Sequence, residues 1–203
     1  MTNRFDIRHL VIPSTFDIRH SSFRAAAAFT LIELIVVIAI IIVLAGLILS
    51  TVGYVQKKGA RARAETEIAA ISAACESYKA DNGVYPNSDD TNNLDPRANG
   101  DPTATAYSQA SFYLYTQLSG DSTGNRSPTG KSYMEFKPKM LLPPDGTSTI
   151  TAIADPFHYS YGYSTANQLN SNQGYNPTFD LWSTAGVIST SNTPDPSQWI
   201  KNW

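Results

Sequence analysis

Few side chains in this chain could carry out chemistry, and those few stand mostly alone. Among 203 residues there are three histidines and one cysteine, Cys75. His158 follows Asp155 by three residues, but a catalytic triad also needs a positioned nucleophile and an oxyanion hole. A single cysteine cannot form a CxxC pair or an internal disulfide, and no HExxH motif occurs. We therefore expect His158 and Cys75 to be structural, and we predict that the protein is not an enzyme.

Glu33 is the ionisable residue with the most unusual surroundings. The 22 residues that follow it, Leu34 to Val55, carry no charge, and at about 1.5 Å per residue such a helix covers roughly 30 Å of hydrocarbon. A carboxylate costs on the order of 2.5–3.5 kcal/mol at mid-bilayer and less near the interface. If the chain is cut before Phe29, the new α-amino group of the same or a neighbouring copy can pair with Glu33. Alternatively, Glu33 is an interfacial residue in the first helical turn, stabilised by the helix macrodipole.

The segment before the apolar run, residues 1–28, differs from a secretory signal peptide. It carries four arginines and two aspartates and ends in four alanines. A secretory signal is cut near small residues after its apolar region, whereas here the small residues come first. Cleavage after Ala28 would therefore leave the hydrophobic helix on the mature chain. The four arginines before the apolar run are matched by four cations after it, namely Lys57, Lys58, Arg61 and Arg63. The distribution of positive charge therefore does not decide which end of the helix faces the cytoplasm.

The helical pattern continues beyond the apolar run. Ile68, Ile71, Cys75 and Tyr78 are spaced by three or four residues, as on one face of a helix. Gly83 can end the helix and Pro86 blocks its continuation, so the pattern predicts one helix from about Thr30 to Asp81. The cations after the span predict contact with lipid headgroups and i, i+4 pairs such as Arg61–Glu65, or charge pairing between copies.

The remainder of the chain predicts a loop-rich head. Residues 87–130 are rich in turn formers, with a short helix expected from Ser108 to Leu118. Strands are predicted at Ser132–Lys137, Phe157–Tyr163 and Thr178–Ser183. The fold class is therefore α+β, a long N-terminal helix against a small antiparallel sheet. The predicted divisions are a leader (1–28), a membrane-spanning helix (29–55), its water-exposed half (56–82) and the head (83–203).

The residues around Glu33 also carry a family resemblance. Ala28-Phe29-Thr30-Leu31-Ile32-Glu33, followed by the apolar run, resembles the cleavage signal of type IV pilins and type II secretion pseudopilins. In that family a prepilin peptidase cuts before the phenylalanine and methylates its amine. By position, Ala28 would end the leader, Phe29 would be the methylated terminus, and Glu33 would direct assembly. The family usually has glycine at the position of Ala28; alanine is the closest substitute in size, so we expect cleavage.

Shorter matches in the head resemble one branch of this superfamily. Tyr78 to Pro86, Asp155-Pro156, Phe179 to Ser183 and Ile200 to Trp203 look like the major pseudopilin, general secretion pathway protein G. The resemblance implies a structural subunit of a type II secretion pseudopilus that polymerises through its N-terminal helix and drives protein export across the outer membrane. Its implied partners are other copies, minor pseudopilins, the prepilin peptidase and an ATP-driven inner-membrane assembly platform. Alternatives are a surface type IV pilus, or a non-polymerising, single-pass anchored head that binds a ligand.

The same resemblance implies a bacterial inner-membrane protein, single-pass, with a periplasmic head and a periplasmic or surface filament as its assembled form. The net charge of −2 argues against nucleic acid as the main partner. Many proteins of that branch bind calcium in the C-terminal loop, but two expected carboxylates are missing here and Asp195 is the one weak candidate. We therefore expect no cofactor or metal, and we expect packing of Trp182, Trp199 and Trp203 to hold the loop.

Overall fold

The computed structural model describes residues 29–203, so the predicted leader and Ala28 lie outside the described residues. The described residues divide into two units, 29–49 and 50–203. The helices are α1 (Leu31–Asn82), α2 (Asp89–Asn92), α3 (Thr105–Ser119) and α4 (Ala166–Leu169). The strands are β1 (Leu141–Leu142), β2 (Ala152–Ile153), β3 (Gly162–Ser164), β4 (Asp180–Ser183) and β5 (Ile200–Lys201), and 3-10 turns occupy Pro138–Met140 and Pro196–Gln198.

The long helix is confirmed, and it ends as its sequence predicts. α1 stops at Asn82, and Gly83 adopts the left-handed conformation with φ of 78°. The Gly83 amide donates to the Lys79 carbonyl at 2.7 Å, which satisfies one of the carbonyls that a helix end leaves open. The predicted stripe is also confirmed, because Ile68, Ile71 and Cys75 are buried in the core of the second unit.

Two small antiparallel sheets complete the α+β fold. β3, β4 and β5 form a three-stranded sheet in that order, and β1 pairs with β2. Gly162 lies opposite Trp182 in the β3–β4 register. A Cβ on Gly162 would lie 2.2 Å from the Trp182 ring, so only glycine leaves room for this indole. The main core joins α1 and α3 to Tyr161, which precedes β3, and to the sheet residues Tyr163 and Leu181.

One of the three predicted strands is confirmed and two are wrong. Thr178–Ser183 contains β4, which begins two residues later than predicted. Ser132–Lys137 is not a strand: the amides of Tyr133 and Met134 donate to the carbonyl of Leu118 at the end of α3 instead of to a neighbouring strand. Tyr133, Met134 and Phe136 all pack on the core, although Tyr133 and Met134 are consecutive and would lie on opposite faces of a strand.

The second wrong strand is Phe157–Tyr163, of which only the end is β3. Asp155 accepts the Phe157 and Tyr159 amides, both at 2.9 Å, and so holds the first half of the segment in a turn. The predicted helix Ser108–Leu118 is confirmed and begins three residues earlier, at Thr105.

Candidate functional site

The candidate site is the uncovered apolar surface of the first part of α1. Side chains from Phe29 to Gly59 are exposed, and they include most of the large aliphatic residues of the chain. Leu31 is 76% exposed and Leu49 is also 76% exposed. Within the described residues, this helix is the one that is long and apolar enough to cross a membrane. An apolar surface of this extent is unfavourable in water, so lipid or other protein must cover it.

Glu33 lies in the first turn of α1, where Thr30 binds it. The Thr30 amide and the Thr30 hydroxyl both donate to Glu33 Oε2 at 2.9 Å, and the Glu33 amide donates back to Thr30 Oγ1 at 3.3 Å. Thr30 and Glu33 thus form a reciprocal capping box, in which each side chain binds the other's backbone N–H. The capping role of Thr30 was not predicted from the sequence, although a Thr-x-x-Glu pattern before an apolar run is typical of this cap.

Phe29 lies just before α1, and its side chain is close to that of Glu33. Together with Ile32, Val36 and Val37 they line a shallow groove of about 360 Å³. Phe29 is 83% exposed. The groove therefore combines one carboxylate with an apolar wall, a surface suited to another apolar helix that brings a positive charge.

The basic residues that follow the span are partly engaged within the second unit. Arg61 Nη1 donates to the Gln198 carbonyl at 2.9 Å, so the predicted Arg61–Glu65 pair is wrong. The i, i+4 ion pair lies two residues further on, between Arg63 Nε and Glu67 Oε1 at 2.7 Å. This hydrogen bond shows that the C-terminal segment packs beside α1 at Arg61.

Two buried carboxylates hold the head together. Glu67 is 8% exposed and accepts the Tyr161 hydroxyl at 2.9 Å, and burial followed by the charge of Glu67 raises the pKa of Tyr161. Asp155 accepts the Ser183 hydroxyl at 2.5 Å. Burial raises the pKa of Asp155 even though Ser183 and two amides favour its charged form. These contacts join α1 to the sheet and the turn at 155–159 to β4, which is a structural role.

The structure gives no arrangement for catalysis at His158 or Cys75. His158 is exposed at the tip of the Asp155 turn, with φ of 69°. Cys75 is fully buried, and burial raises the pKa of its thiol, which disfavours the reactive thiolate.

A G-x-S-x-G pattern occupies residues 120–124. In a nucleophile elbow this pattern lies between a strand and a helix, whereas here it follows helix α3 and continues as loop. Asp121 is fully buried and binds the loop's own amides, those of Thr123, Gly124 and Arg126. Ser122 is exposed at the surface of this loop. The pattern therefore serves to turn the chain.

The C-terminal loop is held by aromatic rings. Trp182 and Trp199 stack at 5.9 Å between ring centroids, and Trp203 meets Trp182 edge-on at the same distance. Asp195, the weak metal candidate, accepts from the Ser197 amide at 2.9 Å and from its hydroxyl at 2.8 Å, and these bonds hold its pKa below the usual range. Among residues 29–203 no group of three or more His, Cys, Asp or Glu side chains is placed to hold a metal.

Comparison of the chain with known protein families, with curated proteins and with solved structures finds no match. The proposed function therefore depends on the geometry of the described residues. The described residues offer an exposed apolar helix whose first turn holds one carboxylate, that of Glu33.

Proposed function

We propose that this chain is the structural subunit of a helical filament of the type II secretion pseudopilus kind. The chain is inserted in the inner membrane as a precursor and is cut between Ala28 and Phe29. It then polymerises through the apolar half of α1. The filament pushes exported protein through an outer-membrane channel as an assembly platform adds subunits from the membrane.

The observation that supports this proposal most strongly is the combination of exposure and charge in the first turn of α1. The apolar side chains from Leu31 to Val55 are exposed, and Glu33 is the one acid among them. A plain membrane anchor needs no carboxylate there, and the cost of burying one calls for a positive partner. The amine that cleavage frees at Phe29 is such a partner when it comes from an adjacent copy.

The Thr30 contacts are compatible with this role. Thr30 occupies Oε2 of Glu33, and within residues 29–203 no hydrogen bond is made by Oε1. The capping box orients the carboxylate at the start of the helix, and Oε1 stays available to a second copy. Glu33 thus has a structural partner in its own chain and an open position for an intermolecular ion pair.

Mass spectrometry of the chain extracted from membranes tests the processing step. We expect a mature form that begins at Phe29 and carries one methyl group on its amine. A chain that keeps residues 1–28 in membranes containing an active prepilin peptidase would contradict the proposal. Ala28→Gly serves as the matched variant, because it restores the residue usual in this family and should be cut at least as fast.

A further inference from the structure

A groove beside α1 lies within the second unit. It encloses about 870 Å³. Its floor includes Ala70 of α1 together with Met134 and Met140 of the segment that follows α3, and Lys137 and Lys139 stand exposed at its rim. We call this the basic groove. The remaining lining residues are Arg63, Thr66, Glu67, Glu135 and Pro138.

Within residues 29–203 the ion pairs are Arg63–Glu67, Arg126–Asp145 and Lys131–Asp81, and the two rim lysines belong to none of them. Glu135, an exposed lining residue, is also outside these pairs. Because Arg63 is paired with Glu67, the charges of Lys137, Lys139 and Glu135 leave the groove with a formal charge of +1. The basic groove therefore presents an apolar floor and a net positive charge, and it fits an occupant with an exposed apolar side chain and negative charge.

An exposed apolar side chain beside negative charge occurs elsewhere in the same unit, directly after the end of α1. Val84 is 61% exposed directly after α1, and Asp89 and Asp90 are exposed in the first turn of α2. Tyr85 between them is buried and donates to the Glu76 carboxylate at 2.9 Å, which fixes this segment to α1. We call Val84, Asp89 and Asp90 the acidic tip. Its two aspartates are also outside the ion pairs of the described residues.

The basic groove and the acidic tip are separate surfaces within one copy. None of Val84, Asp89 and Asp90 lines the groove. Lys137 and Lys139 make no ion pair with the two aspartates. A contact between these two surfaces therefore joins different copies head to tail, and such a contact, repeated, builds an open polymer instead of a closed dimer.

We propose that the basic groove of one copy receives the acidic tip of a second copy, with Val84 on the apolar floor and Asp89 and Asp90 facing Lys137 and Lys139. This inference rests on the proposed function, and it names the contact by which the heads register along the filament. The apolar helix supplies the polymer's cohesion, and the groove and tip set which heads are neighbours.

Disulfide trapping in membranes of cells that make the full-length chain tests this contact. Val84→Cys and Ala70→Cys in one chain place a thiol on the tip and another on the groove floor, both at exposed positions. Oxidation should give a ladder of dimers, trimers and larger species on a non-reducing gel. Each single variant should give no ladder beyond its background, and native Cys75 is buried and does not contribute. The matched control is Leu169→Cys with Ala70→Cys, since Leu169 is 73% exposed but belongs to neither surface.

Charge reversal tests the electrostatic part. Lys137→Glu with Lys139→Glu should lower the trapped fraction roughly five- to tenfold, because two attractions become repulsions. Asp89→Lys with Asp90→Lys should do the same, and the four changes together should restore at least half of the original ladder. Loss without restoration would overturn the proposal, because it would indicate that the lysines bind another anion such as a lipid headgroup.

The failure of this contact is distinguishable from failure of the proposed function. A general amine-reactive crosslinker reports polymers whatever their head contacts. If the unmodified chain gives no polymer with that reagent, both proposals fall. If polymers form while the Val84–Ala70 pair yields no more ladder than the Leu169 control, only the contact between groove and tip is overturned. Resistance of the head to limited proteolysis confirms that each variant is folded.

Discussion

Glu33 can act in two ways, as a cap for its own helix or as the charge that captures a neighbouring amine, and substitutions at two positions separate them. Thr30→Ala removes the hydroxyl partner of the cap and leaves the carboxylate. Glu33→Gln leaves a side-chain carbonyl that can still accept from Thr30, since Gln serves in a capping box as Glu does, but it removes the charge. The first change damages mainly the cap, and the second damages mainly any ion pair.

The two mechanisms predict effects of different size. Loss of a threonine N-cap costs about 1 kcal/mol, which is roughly a fivefold effect at 1.4 kcal/mol per factor of ten. Loss of one partner from a buried ion pair costs about 3–5 kcal/mol, because the remaining ammonium is buried without compensation. Glu33→Gln should therefore reduce assembly at least about a hundredfold, whereas Thr30→Ala should reduce it roughly fivefold.

The assay is the fraction of chain recovered as polymer after crosslinking in membranes, compared at equal amounts of processed protein. Mass spectrometry of each variant checks that cleavage before Phe29 is unaffected, so that a loss of polymer reports assembly. Equal losses for Thr30→Ala and Glu33→Gln would show that Glu33 acts only as a cap. Near-normal assembly of Glu33→Gln would show that assembly needs no ion pair at Glu33.

The head offers three further predictions, each measured by urea unfolding of the full chain in detergent. Gly162→Ala should destabilise the head by about 1–3 kcal/mol, since the added Cβ would lie 2.2 Å from the buried ring of Trp182; an unchanged midpoint would contradict this packing. Tyr161→Phe removes a hydroxyl donor from the buried Glu67 carboxylate and should cost about 1.5–3 kcal/mol, and a loss well under that range would mean that water replaces the donor. Because burial raises the pKa of Asp155, the folded state retains this proton to higher pH, so the contribution of Asp155 to the stability of the native chain should fall as pH rises above about 4. Asp155→Asn should remove that fall, and parallel pH profiles of the two proteins would refute the assignment.

The sequence predicted the long helix well because its signal is repeated over many turns. α1 shows an uninterrupted apolar run, then a periodic stripe, then Gly83 at its end, and each of these is a local property. β4 was also predictable from its alternating apolar residues. The strands β1, β2 and β5 are two residues each, which is too short for any period to be visible.

The two wrong strands failed for a different reason. Residues 132–137 alternate in polarity like a strand, but the amides of Tyr133 and Met134 bind the carbonyl of Leu118 at the end of α3. Residues 157–160 are taken into a turn by the carboxylate of Asp155. The local sequence pattern does not reveal either acceptor, the Leu118 carbonyl or the Asp155 carboxylate. At the candidate site the position of Glu33 was predictable, and Thr30 could have been found from its spacing.

A structure of the assembled filament would test the central claim most directly, through the distance from the Glu33 carboxylate to the nearest Phe29 amine. The account predicts that a carboxylate oxygen and the amine nitrogen of an adjacent copy lie within about 4 Å of each other, the usual limit of an ion pair. A filament in which Glu33 faces water, or is bonded to Thr30 alone while the amine is paired elsewhere, would contradict it.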